Sequence, residues 1–313
     1  MGDTVQGIHG VTNRTFFANG MLSECTVDAK NVLHTSVGDL VPRYEMMDFR
    51  TKNLKSLSFH QDGSIRSVCL NERIPIATPL GDMPAELVTF HPDGALNSVF
   101  PLNGQLGFGW SEEDEGALAE YRTFDLTFGS VRVKLNGLRF YPDGALKSIL
   151  FWPGQTAPIA TPLGVLPGRI GIRLFDDGSL ESFEPAVPAD IETPIGRVTA
   201  YDVAAVGVDA DINSVHFDRQ GRVANIKTSG DLIVRGRGEA STIISSKTQL
   251  GLTDDSIIKL PMSLAFEEDR LVVYDGAETH TFSLEGNRFI ATPDFDLSGL
   301  SCSGGCESCA GCA

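Results

Sequence analysis

Cysteine is nearly missing from the body of this chain. Of six cysteines in 313 residues, only Cys25 and Cys69 precede residue 300, while Cys302, Cys306, Cys309 and Cys312 crowd the last twelve. A chain of this length buries roughly three quarters of its unfolded surface, so its core needs no disulfide framework. Positive charge is also scarce: 25 Lys and Arg face 41 Asp and Glu, a net charge of −16. Such a surface repels phosphate backbones and anionic lipids, which excludes nucleic acid and polyanionic membranes as partners. No apolar run reaches the length of a membrane span. The start, MGDTVQGIHG, has neither a basic n-region nor an apolar h-region, and Gln6 stands where myristoylation needs Ser or Thr. The expectation is a soluble, cytoplasmic protein, in which clustered thiols serve as metal ligands or redox groups sooner than as disulfides. G-x-S-x-G, Walker A, strand-borne G-x-G-x-x-G and H-E-x-x-H are all missing, so no enzymatic chemistry is expected of the body.

What the body has is repetition. FHQDGSIRSV (59–68), FHPDGALNSV (90–99) and FYPDGALKSI (140–149) are copies of one unit. LFDDGSLESF (174–183), FDRQGRVANI (217–226) and FFANGMLSEC (16–25) are diverged copies, and FEEDRLVVYD (266–275) and FSLEGNRF (282–289) are weaker echoes. A second module alternates with the first: LHTSVG (33–38), IATPLG (76–81), IATPLG (159–164) and IETPIG (191–196), with a remnant at 290–294. From leading residue to module threonine is 19 residues in three repeats and 21 in a fourth. From threonine to the next leading residue is 12 or 13 in two cases and 24 in two others. Twice twelve predicts one extra hairpin in those two repeats. The repeat at Phe90 keeps the pattern once an insertion around SEEDEGALAEYR (111–122) is removed, with LTFGS (126–130) in place of the threonine module.

Asp-Gly favours turns with φ > 0 that join antiparallel strands, because glycine has no Cβ to clash. The flanks alternate with period two: Leu87, Thr89 and His91 face one way, Val88 and Phe90 the other. In ALNSVF (95–100) the same count puts Leu96 and Phe100 on one face and Val99 on the other. Thr-Pro-Leu-Gly reads as a strand end and turn. Helix is confined to EEDEGALAEY (112–121). The fold class is therefore all-β: an antiparallel β-hairpin repeat array, curled or folded over and solenoid-like, because apolar residues on both faces rule out a flat sheet wet on two sides. The expected organisation is a lead-in over 1–15, hairpin repeats over 16–230 with an insertion at about 105–124, a degenerate β cap over 231–297, and a flexible Cys-rich tail over 298–313.

The F-x-x-D-G-x-L-x-S-V unit resembles the short hairpin repeats of the YwqK and MORN-variant type, and FDRQGRVANI resembles the YD repeats of Rhs-type shells. The resemblance covers residues 16–226 in patches and rests on about five positions per unit. It implies scaffolding, binding or encapsulating roles, hence a protein partner, and no catalytic residue.

The tail, Cys302-x3-Cys306-x2-Cys309-x2-Cys312 among glycines and serines, carries the chemical signal. Thiolates two or three residues apart converge on one centre when the backbone turns freely, so these four can complete a zinc site or ligate a [4Fe–4S] cluster. A modified or partner-contacting thiol peptide and a thiol-transfer pair remain open beside it. Cys25 and Cys69 read as small core residues. His60 and His91, with Tyr141 in the next repeat, occupy the position after the leading aromatic: with one rung per repeat they would stack about 5 Å apart as a binding ladder, and with two or more strands per repeat they are too far apart to share a metal. His9, His34, His216 and His280 show no ligand spacing. Glu112, Glu113, Asp114 and Glu115, like Glu267, Glu268 and Asp269, read as solvated acidic runs.

Overall fold

A computed structural model describes residues 7–45, 50, 55–104, 106, 109–203, 205, 213–236, 241–250 and 257–292. In chain order the elements are β1 (Val11–Phe16), β2 (Leu22–Val27), β3 (Leu33–Thr35), β4 (Gly38–Leu40), β5 (Leu57–Phe59), β6 (Ile65–Thr78), β7 (Gly81–Phe90), β8 (Leu96–Phe100) and helix α1 (Glu112–Leu118). There follow β9 (Tyr121–Leu126), β10 (Gly129–Phe140), β11 (Leu146–Phe151), β12 (Thr156–Thr161), β13 (Gly164–Leu174), β14 (Leu180–Pro185), β15 (Ala189–Thr193), β16 (Gly196–Ala200), β17 (Val215–Phe217) and β18 (Val223–Thr228). The last are β19 (Leu232–Arg235), β20 (Thr242–Ile244), β21 (Lys247–Leu250), β22 (Ile257–Leu260), β23 (Met262–Phe266), β24 (Arg270–Tyr274), β25 (Thr279–Ser283) and β26 (Arg288–Ala291). The all-β hairpin array expected from the repeats is what the structure shows. Two compact units divide it, Met1–Pro188 with Tyr201–Ile226, and Ala189–Ala200 with Lys227–Ala313.

In the first unit the Asp-Gly hairpins join into one antiparallel meander, β1-β2-β5-β6-β7-β8-β10-β11-β13-β14-β17-β18. Their turns share one build. His60 N–H donates to Ser64 O and Gly63 N–H to His60 O, closing a three-residue loop whose last member, Gly63, has φ +88°. The aspartate before the glycine accepts from the backbone N–H two residues on, as Asp62 does from Ser64 and Asp93 from Ala95.

One row of side chains crosses the whole meander. Cys25, Leu57, Val68, Val88, Val99, Leu138, Ile149, Ile172, Phe183, Val215 and Ile226 are successive cross-strand partners. Each is at most 1 % exposed. The adjoining row on the opposite face is polar, running Ser58, Ser67, Thr89, Ser98, Arg139, Ser148 and beyond. A register shift next to each leading residue corrects one expectation. Leu96 pairs with Phe90, and Phe100 pairs with Leu87. Cross-strand partners share a face, so the bulge at Asn97 puts Leu96 and Phe100 on opposite sides.

The threonine modules cover the apolar row. β6 starts beside its turn and extends for 14 residues, about 40 Å if straight. Yet Pro79, just past its end, sits 3.4 Å from where a Cβ on Gly144 would lie, at another Asp-Gly turn. The hairpin therefore folds back along the sheet, and the break in register between Cys69 and Ile74 is where it does so. The same contact recurs at the other three tips of the first unit. Ser36 Oγ donates to Gly94 O at 2.7 Å, Thr127 Oγ1 to Gly178 O at 2.7 Å, and Pro162 lies 3.3 Å from the Cβ position of Gly221. Each tip meets the turn two repeats ahead. The tips are self-closed: Thr78 Oγ1 donates to Gly81 O at 2.6 Å and accepts the Leu80 N–H at 3.1 Å, a pattern repeated at Thr161. Inward residues of these hairpins, Ile76, Val131, Val133 and Ile159, are buried.

The extra hairpin expected in the two longer repeats is not found among the described residues. After β4 the chain makes only an isolated bridge, Pro42 to Leu70, and no described strand lies between β16 and β17. The described parts of these two connections are anchored by side chains described below. The insertion does hold the expected helix, with Ser111 and Asp114 forming a capping box.

The second unit contains the β15–β16 hairpin, a three-stranded sheet ordered β20-β19-β26, the β21–β22 pair and the β23-β24-β25 meander. Its core includes Leu232, Met262, Leu264, Leu271 and Val273, all fully buried.

The apolar row predicts a sharp contrast. Ile149→Ala, at 0 % exposure, should lower unfolding free energy by about 3 kcal/mol in urea titration. Val165→Ala, at 68 % exposure, should change it by less than about 0.5 kcal/mol.

Candidate functional site

The four tail cysteines, Cys302, Cys306, Cys309 and Cys312, lie outside the described residues. Among the described residues, no group of three or more His, Cys, Asp or Glu side chains is placed to hold a metal. Both body cysteines are buried thiols outside any disulfide. Burial pushes the Cys25 thiol up to about 11, against the lowering pull of Lys55 and Arg14. It stays protonated at neutral pH and is a poor ligand or nucleophile.

His60, His91 and Tyr141 do one job in three successive repeats. His60 Nε2 donates to Phe90 O at 3.0 Å, His91 Nε2 to Phe140 O at 3.0 Å, and Tyr141 OH to Leu174 O at 2.9 Å. Each side chain reaches the carbonyl of the next leading residue and ties one hairpin to its successor. Because a carbonyl only accepts, both imidazoles carry their proton on Nε2.

The acidic run of the insertion is not uniformly solvated. Glu112, Glu113 and Asp114 are exposed, but Glu115 is 2 % exposed. Its carboxylate takes a fork from Arg50 (2.6 and 2.7 Å), the Trp110 indole N–H (2.7 Å) and the Gly104 N–H (2.7 Å). Arg50 also grips Glu86 with two bonds of 2.9 Å, and Glu86 accepts the Asn103 N–H. Burial alone would raise Glu115, but these bonds outweigh it and hold its carboxyl below the usual range. Gly104 is required here: a Cβ would lie 2.2 Å from Glu115 Oε2. The second run behaves as expected, with Glu267 bonded to Arg270 across a tight turn.

A second buried carboxylate escaped the sequence reading, since nothing in LESFEP distinguishes Glu184 from its neighbours. It is 0 % exposed and accepts the Ser214 N–H at 2.7 Å and the Asp202 N–H at 3.3 Å. Arg169 stands 3.6 Å away, donates to Asp202 O and stacks over Tyr201. Asn213 Nδ2 donates to Ser182 Oγ, and His216 Nε2 to Asn213 O. Burial raises the Glu184 carboxyl, and the bonds from Ser214 and Asp202 with the charge of Arg169 only partly offset it. Both buried carboxylates anchor a long connection where the extra hairpins were expected.

The surface opening of the first unit lies among the turns. An open groove of about 280 Å³ is lined by Phe128, Pro162, Leu180, Asp218 and Arg219, among others. Arg219 is held on its rim by Asp176 at 2.7 Å and by the Phe175 ring at 4.7 Å. The arrangement offers apolar contact and charge, and its Ser179 hydroxyl is held by the Asp177 carboxylate as part of the turn. Compared with known proteins, the chain matches no family model, no curated protein and no solved structure.

The two buried carboxylates should respond to pH with opposite sign. Glu115, lowered in the fold, contributes stability that is present above the ordinary Glu range near 4.3 and lost as pH falls. Glu184, raised in the fold, weighs against the native state increasingly as pH rises through that range. Glu115→Gln should therefore cost about 3 kcal/mol at neutral pH and less in acid. Glu184→Gln should gain on the wild type as pH rises. Urea titrations at a series of pH values check both slopes.

Proposed function

We propose that this chain is a cytoplasmic hairpin-repeat scaffold that engages a protein partner and whose C-terminal thiols bind or receive a metal or Fe–S centre. The observation that carries the proposal is the placement of cysteine. Four thiols with x3, x2 and x2 spacing share a Gly/Ser tail, and the remaining two are buried in the β body. Four thiolates suit a tetrahedral zinc ion or the irons of a [4Fe–4S] cluster by donor softness. Cys302, Cys306, Cys309 and Cys312 would hold it, and the glycines among them let the sulfurs converge. The scaffold half rests on the repeat ladder, whose polar groups in the body are spent on turns, inter-repeat bonds and loop anchors. No helix of the described residues is long and apolar enough to cross a membrane.

The test is purification under anaerobic conditions followed by iron, zinc and sulfide analysis of the full chain and of a truncation ending at residue 300. The expected result is about one zinc, or iron and sulfide in about equal amounts, per full-length chain. The truncation should lose it without a shift in thermal unfolding. Metal-free full-length protein would overturn the metal half. A reversible disulfide in its place, with thiols alkylating at low pH, would assign the tail to thiol transfer.

A further inference from the structure

The tips of the folded-back hairpins carry an apolar residue where a turn does not ask for one. After Ser36, Pro79, Thr127 and Pro162 come Val37, Leu80, Phe128 and Leu163, and the equivalent residue of the second unit is Ile195. Tight turns select Asn, Asp, Ser or Gly at such positions. Leu80 and Leu163 are 42 % and 41 % exposed, so the core does not claim them.

The interlock brings four of these tips to turns that carry an acid. Ser36, Pro79, Thr127 and Pro162 touch the turns of Gly94, Gly144, Gly178 and Gly221. Those turns carry Asp93, Asp143, Asp177 and Asp218. Asp93 and Asp143 are exposed, each spends one oxygen on a backbone N–H, and no cation pairs with either among the described residues. The edge therefore presents a row of apolar tip residues, Val37 and Phe128 half-buried and Leu80 and Leu163 exposed, along turns in which Asp177 and Asp218 pair with Arg219 and Arg222 while Asp93 and Asp143 face solvent. The groove beside Phe128 and Pro162 opens within it.

The step between pairs is one hairpin. Two strands of an antiparallel sheet span about 9.5 Å. A polyproline II helix advances about 9.3 Å per three-residue turn and repeats each face at every third residue. Its faces therefore match the tips and carboxylates in register, while an extended strand with period two does not. We infer that the turn edge of the first unit binds a basic polypeptide segment in polyproline II conformation, apolar at every third residue with Lys or Arg in a neighbouring row. The inference names the partner class for the scaffold half of the proposed function and does not involve the tail thiols.

The test uses the full-length chain and a fluorescein-labelled peptide of repeated Leu-Pro-Lys triplets, read by anisotropy at about 150 mM salt. A scrambled peptide of equal composition serves as the control. The ordered peptide should bind about tenfold tighter than the scrambled one. The double variant Leu80→Ser with Leu163→Ser should lose about tenfold in affinity for it. Asp93→Asn with Asp143→Asn should lose a similar factor and weaken the salt dependence, since Asn keeps the acceptor each turn needs. Circular dichroism and urea unfolding should place both variants with the wild type. Equal affinity for ordered and scrambled peptides would reduce the effect to attraction by net charge and overturn the inference. So would wild-type affinity in both double variants, or no binding by the wild type. The truncation at residue 300 should bind as the full chain does, which separates this outcome from that of the metal analysis.

Discussion

The ladder depends on covering one continuous row of apolar side chains. A meander alone leaves that face wet, and eleven neighbouring strands would then expose Leu, Ile, Val and Phe side chains together. Covering it with a separate layer would need a second set of elements with its own connections. Here each repeat supplies both layers: one hairpin extends the sheet, and the next segment bends back over it. Because each tip lands on the turn two repeats ahead, no hairpin is finished by its immediate neighbour alone. Stability in most repeat arrays decays to nearest-neighbour terms. Contacts that skip one repeat couple an interior repeat to as many as four others, which favours cooperative unfolding of the first unit.

Much of this was legible because the turns constrain the sequence so tightly. Gly63, Gly94, Gly144, Gly178 and Gly221 all adopt φ between +77° and +88°, a region other residues enter at a cost. Each is preceded by a residue able to bond the turn backbone. That combination fixed the hairpin positions, and alternation fixed which residues point inward, as Val88 and Phe90 do. What alternation cannot see is a bulge. One inserted residue at Asn97 inverted the face assigned to Leu96 relative to Val99, and a larger break in register at Cys69–Ile74 turns a strand back on itself. Loop chemistry was less legible still. The doubled spacing after Thr35 and Thr193 was consistent with a hairpin by length alone. The carboxylates that anchor the described parts of those connections, Glu86, Glu115 and Glu184, look in sequence like any surface acid. The apolar tips were visible in every copy of the second module, but only their exposure shows that they do not serve the core.

Burying ions is a costly way to fasten a loop, since desolvation often cancels what the pairing gains. The pattern here points to placement more than stability as the benefit. Two carboxylates share Arg50, and the remaining acceptor sites are filled by backbone N–H groups of Asn103 and Gly104 and by the Trp110 indole. Such a knot forms only when segments around residues 50, 86, 104 and 115 are in one arrangement. Around Glu184 the donors are again backbone groups, at Asp202 and Ser214, which a displaced loop could not supply. An apolar plug would tolerate sliding by a residue. Directional bonds to a buried carboxylate do not.

The interlock also separates what the fold needs from what the surface has kept. At the second tip position a hydroxyl in Ser36 and Thr127 alternates with the ring of Pro79 and Pro162, and both make the same contact with a turn glycine. Chemistry there drifts because either a hydrogen bond to a carbonyl or van der Waals contact with a bare Cα closes the gap. At the third position the chemistry does not drift: Val37, Leu80, Phe128, Leu163 and Ile195 are all apolar, though their sizes differ widely. A packing constraint would hold volume and let exposure fall to zero. These residues hold polarity and let volume vary while Leu80 and Leu163 stay two fifths exposed. That pattern supports the docking edge proposed for the first unit.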